Sequence, residues 1–173
     1  MNEVLQAILS RRSCKSYRPD PVPEDILGQI IEMGLHAANG QGKQSPVILA
    51  VTDKEIRDKL SRLNAKYDQK HRPDPFYGAP AVLAVVAPKS VATGLYDGSL
   101  VIGNMLLAAH ALGLGACWIH RAKEVFEDAE GRALLQAWGI ADDYEGVGNC
   151  VVGYAKEMNA AKVPRRENRV YRI

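Results

Sequence analysis

The sequence predicts an α+β sandwich, a mixed central β-sheet flanked by helices, in a single domain over residues 1–173. Three observations carry this. Short, apolar, β-branched runs at 47–52, 81–87, 114–120 and 148–155 alternate with stretches at helical spacing, but without the strict rhythm of a parallel βαβ fold. The chain is long enough to bury one sizeable core. "DGSLVIGNMLLAAHALGLG" (97–115) is apolar almost all the way round, as in a helix covered on every side; a dimer interface would supply the extra cover.

Each element follows from its residues. Over 2–12, Val4, Leu5, Ile8 and Leu9 share one helical stripe, and over 23–38 Ile26, Leu27, Ile30, Ile31, Leu35 and Ala38 do the same. Pro23 suits that second helix's first turn, and Glu24 and Asp25 complement its dipole. "NGQGKQSP" (39–46) has no period and two glycines, so it reads as a loop. "VILAVT" (47–52) is a buried strand, and Thr52 with Glu55 forms a capping box for a helix over 53–63. Residues 64–79 are polar and proline-bearing, a surface excursion. "AVLAVVA" is the second strand, and Gly98, Gly103, Ala108 and Ala109 let another helix approach the apolar one. "LGACWIH" is the third strand, 122–137 one or two helices, and "GNCVVGYA" the fourth strand. The alternating tail "RVYRI" (169–173) reads as an edge strand.

Charge patterning is more informative than total charge. The net charge is +2, yet residues 11–18 carry four positives and no acid, and the tail from 162 to 172 has a net of +4, leaving the remainder at −6. An acidic body with two basic clusters argues for a focused anion site rather than a nucleic-acid footprint. No run reaches the length of a membrane span, and the N-terminus lacks the pattern of a signal peptide. Cys14, Cys117 and Cys150 are odd in number and widely spaced, which speaks against a disulfide framework and makes the cytoplasm the expected location.

Absences narrow the chemistry further. GxxxxGK[ST], HExxH, GxSxG and CxxC do not occur, the four histidines are too scattered for a local metal motif, and no metal is expected. "GLGACW" (113–118) follows a helix and lacks a third glycine, so it is a poor dinucleotide turn. What remains is arginine, whose fork matches phosphate oxygens, beside a serine hydroxyl in "RRSCKSY".

With "RRSCKSY" (11–17), "NGQGKQSP" (39–46), "APAVLAVVA" (79–87), "YDGSLVIGNMLLAAHALGLGACWIHR" (96–121) and "GYAKEMNAAKVPRR" (153–166) in this order and spacing, the chain resembles the FMN-dependent nitroreductase family. The resemblance implies a three-layer sandwich and a homodimer, with one FMN at each of two sites between subunits and a C-terminal tail strand given to the partner. Carried over by position, Arg11, Arg12, Ser13 and Lys15 contact the flavin's phosphate, ribityl and pyrimidine edge. Arg165 is the later phosphate ligand, with Lys162 standing in for the family's tail lysine at Val163. Asn39, Gly40, Gln41, Gly42 and Gln44 belong to the loop supplied by the partner subunit. Trp118, Ile119, His120 and Arg121 line the flavin, and Asn64 is an edge contact. Gly42 and Ser45-Pro46 depart from the family's usual Asn and Pro-Trp.

The function so implied is reduction of nitroaromatics, quinones or other small electrophiles by NADH or NADPH through a ping-pong hydride mechanism. The reactive centre is flavin N5, with His120 a candidate donor to substrate and Arg12 or Lys15 beside the N1–C2=O edge. A non-catalytic flavin carrier and a flavin-fragmenting enzyme of the same fold are the alternatives. Neither nucleic acid nor membrane is an expected partner.

Overall fold

The computed structural model describes residues 2–157, 161 and 163–173. In chain order these form α1 (Glu3–Ser10), α2 (Glu24–Leu35), β1 (Val47–Val51), α3 (Lys54–Lys66), β2 (Ala81–Pro88), α4 (Gly94–Ala111), β3 (Gly115–Ile119), α5 (Ala122–Glu127), α6 (Ala129–Ala137) and β4 (Tyr144–Gly153).

β2 organises the sandwich, because its β-branched run is apolar at every position and so can be covered on both faces. Val82, Ala84 and Val86 pack with Leu60 and Leu63 of α3, Val125 and Phe126 of α5 and Leu135 of α6. Ala81, Leu83 and Val85 turn the other way, onto Leu27 and Ile30 of α2 and Val101, Ile102 and Met105 of α4. The period of two thus yields two cores, one per face, and three layers.

The sheet order is β1-β2-β4-β3, and every neighbouring pair of these strands is antiparallel. Among the described residues, the parallel pairing of a mixed sheet appears only as the isolated bridge between Ser13 and Ala116. β1 lies at an edge, so it is half-buried rather than buried. β4 begins four residues earlier than expected. Val85 faces Gly148 and Val86 faces Gly146, which leaves Val147 as an extra residue at a bulge. Val147 packs on Gly98, where an added Cβ would come within 2.8 Å of it. Gly98 therefore admits a strand, not the second helix expected there.

Two helix starts differ from expectation. Asp53, not Thr52, caps α3, accepting the Ile56 N–H at 2.9 Å; its carboxylate is the better acceptor at the positive end of a helix. Pro23 stands just before α2, where its carbonyl accepts the Leu27 N–H. The stripe on α1 is present but uncovered: Val4, Leu5, Ile8 and Leu9 are all more than half exposed. Residues 169–173 are exposed and form no strand within the chain.

The 64–79 excursion is pinned by Asp74, which accepts from Arg57 Nη2 (2.7 Å), Ser61 Oγ (2.5 Å) and the backbone N–H groups of Phe76 and Gly78. Burial pushes this carboxyl up, but Ser61, Arg57 and the Gly78 N–H outweigh it and hold it below its usual 3.8. We expect Asp74→Ala to destabilise the fold by about 3 kcal/mol, since it takes one of three acceptors from the nearly buried Arg57 guanidinium and the acceptor of Ser61 and two backbone N–H groups. A carboxyl depressed on folding stabilises above its unfolded pKa, and that stabilisation is lost as pH falls through the folded value. Urea denaturation should accordingly show the gap between wild type and variant at neutral pH and its narrowing below about pH 4.

Candidate functional site

The basic segment leaves α1 and runs along the sheet margin. The Cys14 N–H donates to Ala116 O at 3.0 Å, the Arg18 N–H to Tyr154 O at 2.9 Å and the Lys156 N–H to Ser16 O at 2.9 Å. Alternation then buries Cys14 and sends Ser13 and Lys15 outward. Gly115 makes the approach possible, because a Cβ there would meet the Cys14 sulfur at 2.7 Å. Arg18, to which the sequence assigned no role, stacks over the Tyr154 ring at 4.9 Å.

The two neighbouring arginines differ. Arg12 Nη1 donates to Leu9 O (2.9 Å) and Arg11 O (2.7 Å), so it closes the carbonyl end of α1. Arg11 Nη1 is buried without any hydrogen-bond partner among the described residues. An unmet buried donor costs free energy, so it is poised for an acceptor from outside the chain. Beside it, His110 Nε2 meets Ser10 Oγ at 2.7 Å, and burial, reinforced by Arg11 and Arg12, holds this imidazole below its usual pKa. Burial pushes the Cys117 thiol up, opposed by the Ser13 hydroxyl and the charge of Lys15. Burial does the same to Cys150. Both remain thiols at neutral pH and are not nucleophiles.

Lys15 meets the end of β3 at a pocket of 190 Å³ lined also by Cys117, Trp118, Ile119, His120, Arg121, Arg72, Pro75 and Tyr77. The structure thus brings Lys15 together with four residues a hundred positions away. Arg72, Pro75 and Tyr77 were missed from sequence, although Asp68 and Arg72 stand at i,i+4, a spacing that flags an ion pair. A second cavity of 310 Å³, on Tyr67, Asp68, Gln69, Lys70 and Glu124, shares Arg72, His120 and Arg121 with the first.

Asn64 is fully buried. Its Nδ2 donates to His120 O at 2.8 Å and its Oδ1 accepts from Arg121 Nε at 3.1 Å. It bears on the pocket through the His120–Arg121 turn, which its amide ties down from both sides.

The 39–44 loop lies apart from both cavities. Asn39 braces it internally, accepting from Gln44 N (3.0 Å) and donating to Ala37 O (3.3 Å), so that its amide too is engaged. Buried Asp97 accepts from the Gly40 N–H (3.0 Å) and from Thr93 Oγ1 (2.8 Å). Gly40 is required there, as a Cβ would sit 2.4 Å from Thr93 Oγ1. Gln41, Gly42 and Gln44 are exposed and all have positive φ. Arg165 is exposed and donates to Val163 O at 3.0 Å, so within one chain the described residues do not bring the two basic clusters together. Lys162 lies outside the described residues.

Comparison with known proteins bears on the family and the fold. Residues 8–154 match the model of the nitroreductase family. An FMN reductase [NAD(P)H] of Bacillus subtilis is 30% identical over 131 residues, covering 66% of this chain and 53% of that protein. The chain spans between 53% and 60% of the length of three such curated relatives. A crystal structure of a nitroreductase with bound FMN from Bacteroides fragilis superposes with a TM-score of 0.86 at 29% identity, covering 100% of this chain and 99% of that one. One from Desulfitobacterium hafniense, at 21% identity and a TM-score of 0.89 with 100% of both chains covered, shares the fold. On the match over residues 8–154, and with the sandwich seen in those structures, the chain belongs to the nitroreductase family.

Proposed function

We propose that the chain is an FMN-dependent oxidoreductase that draws on NADH or NADPH and reduces small electrophilic acceptors, nitroaromatics and quinones among them, in a ping-pong sequence. The observation that carries this reading is the buried, unpartnered Arg11 Nη1 beside outward-facing Ser13 and Lys15, a few residues from the pocket under Trp118–Arg121. Those donors suit a phosphate followed by a polar flavin edge. The FMN held by the Bacteroides fragilis protein and the activity named for the Bacillus subtilis one support it. When bound, FMN supplies the hydride-accepting N5. Arg11 then holds the phosphate, Ser13 and Lys15 the ribityl and pyrimidine, and the His120–Arg121 turn flanks the ring. His120, exposed at the turn, is placed to donate to substrate, and water otherwise supplies the proton.

In this reading the protein is a homodimer. The bare stripe on α1 is matched by exposed Leu95, Tyr96 and Leu100 on α4 and by Met33 and Leu35 on α2, apolar side chains that a partner subunit would cover. The exposed Val170, Tyr171 and Ile173 fit a tail laid on the partner, and the braced 39–44 loop fits delivery of Gln41 and Gln44 to the partner's flavin.

Anaerobic stopped-flow spectroscopy of the yellow protein tests the reading. Absorbance near 450 nm, roughly the flavin band common to such proteins, should bleach on mixing with NADH or NADPH and return on adding a quinone or nitroaromatic. Yellow protein that neither nicotinamide bleaches would instead be a flavin carrier.

A further inference from the structure

Asp97 is buried, 4% exposed, in the first turn of α4. Asp68 pairs with Arg72 and Arg121, and Asp74 with Arg57, but Asp97 makes no ion pair among the described residues. Burying an unpaired carboxylate is costly, and the positive end of α4 offsets only part of that cost. Its two oxygens serve different partners. Oδ2 accepts from Thr93 Oγ1 at the head of its own helix, and Oδ1 accepts from the Gly40 N–H, 57 residues away in the chain. What Oδ1 holds is a strained loop. Gln41, Gly42 and Gln44 stand at φ 58°, 66° and 48°, and the two glutamines enter that region at a cost of roughly 1 kcal/mol each. Such a conformation persists only where its surroundings fix it. One fixing point lies inside the loop, the Asn39 side chain on the Gln44 N–H; the other is Asp97. The first turn of α4 is itself firmly seated, with Gly94 against Ala87 and Gly98 against Val147. Residues 41–44 are exposed and line neither cavity at the end of β3 in their own chain.

We propose that Asp97 is a positioning residue for the flavin site of the partner subunit: through the Gly40 N–H it sets the 39–44 loop in the shape that meets the partner's flavin. The inference rests on the FMN and homodimer reading above. A loop shaped within its own chain and used in another needs an anchor that the partner does not supply. A buried carboxylate on a packed helix is such an anchor, because it holds the backbone before any flavin or second chain arrives. Each site then takes Arg11 from one chain and the loop, with its Asp97, from the other.

The test uses that division. Asp97→Ala leaves no buried charge behind, so it should keep the fold and the dimer but lose roughly tenfold in FMN affinity as Gln41 and Gln44 relax from their places. Asp97→Asn keeps an acceptor for the Gly40 N–H and should bind FMN within about threefold of wild type. Chains carrying Arg11→Ala and chains carrying Asp97→Ala are then co-expressed under different tags, and the mixed dimer is purified through both. Fluorescence titration should find one FMN site of wild-type affinity in it. That site combines Arg11 from the Asp97→Ala chain with the loop from the Arg11→Ala chain, while the other site lacks both. A mixed dimer with no site of wild-type affinity overturns the proposal, because Asp97 then serves its own chain's site or the fold at large. So does an Asp97→Ala dimer that binds FMN as wild type does. A wild-type protein that sediments as a monomer, or takes up no FMN, would refute the underlying reading itself, a result distinct from either.

Discussion

Arg11→Ala is expected to release the flavin while leaving the fold intact. Charge-assisted hydrogen bonds to a phosphate contribute about 1.5–3 kcal/mol each, so loss of the fork should weaken FMN binding by roughly ten- to several-hundredfold. The wild-type fold has little to lose, because Arg11 Nη1 has no partner among the described residues and its removal takes away an unmet buried donor. Thermal stability of the flavin-free protein should hold or rise slightly, which separates loss of a ligand contact from loss of structure. Arg12→Ala should behave in the opposite manner. Its guanidinium caps Leu9 O and Arg11 O, so the apoprotein should lose about 1 kcal/mol and FMN affinity should fall less. Fluorescence titration with FMN, and with riboflavin as the phosphate-free control, checks both. If Arg11→Ala binds FMN like wild type, the phosphate site lies elsewhere.

The second large effect is expected on α1. Leu5 and Ile8 are 54% and 55% exposed, so lysines there disturb nothing inside the chain. In a dimer that covers the stripe, the double variant Leu5→Lys/Ile8→Lys forgoes about 3–4 kcal/mol of apolar burial, a loss of a few hundredfold in the dimer's dissociation constant before charge repulsion is added. Sedimentation at micromolar concentration should show the wild type as a dimer and the variant as a monomer with an unchanged far-ultraviolet spectrum. Flavin should leave with the partner, since the 39–44 loop is then missing from each site. A variant that stays dimeric would place the interface on another face.

Much of this was legible in the residues. The apolar run of β2 announced a buried strand, because that is a local pattern, and the structure covers it on both faces. What was illegible depends on partners distant in the chain. Nothing local to Asn64 says that its amide will be consumed by residues 120 and 121, and nothing in "YDGS" says that Asp97 will hold Gly40. The bulge at Val147 could not be read either, since it exists only in register against Val85 and Val86. Residues 64–79 looked like a polar excursion because polar composition does not distinguish solvent-facing charge from charge paired inward, as Asp68 and Asp74 are. The bare face of α1 was read correctly as a stripe, but a stripe does not say whether its cover comes from within the chain.

The strap at the sheet margin bears on the order of folding. Ser13 bridges to Ala116 and Tyr17 to Ala155, so the backbone of the basic segment is paired with partners about a hundred or more residues downstream. Contacts of such long range are entropically slow to close and form late. During synthesis the strap must wait until β3 and the end of β4, made about a hundred residues later, have left the ribosome. In the proposed reading, the capacity to hold a cofactor therefore waits on closure of this strap. Flavin would capture the finished fold rather than template it.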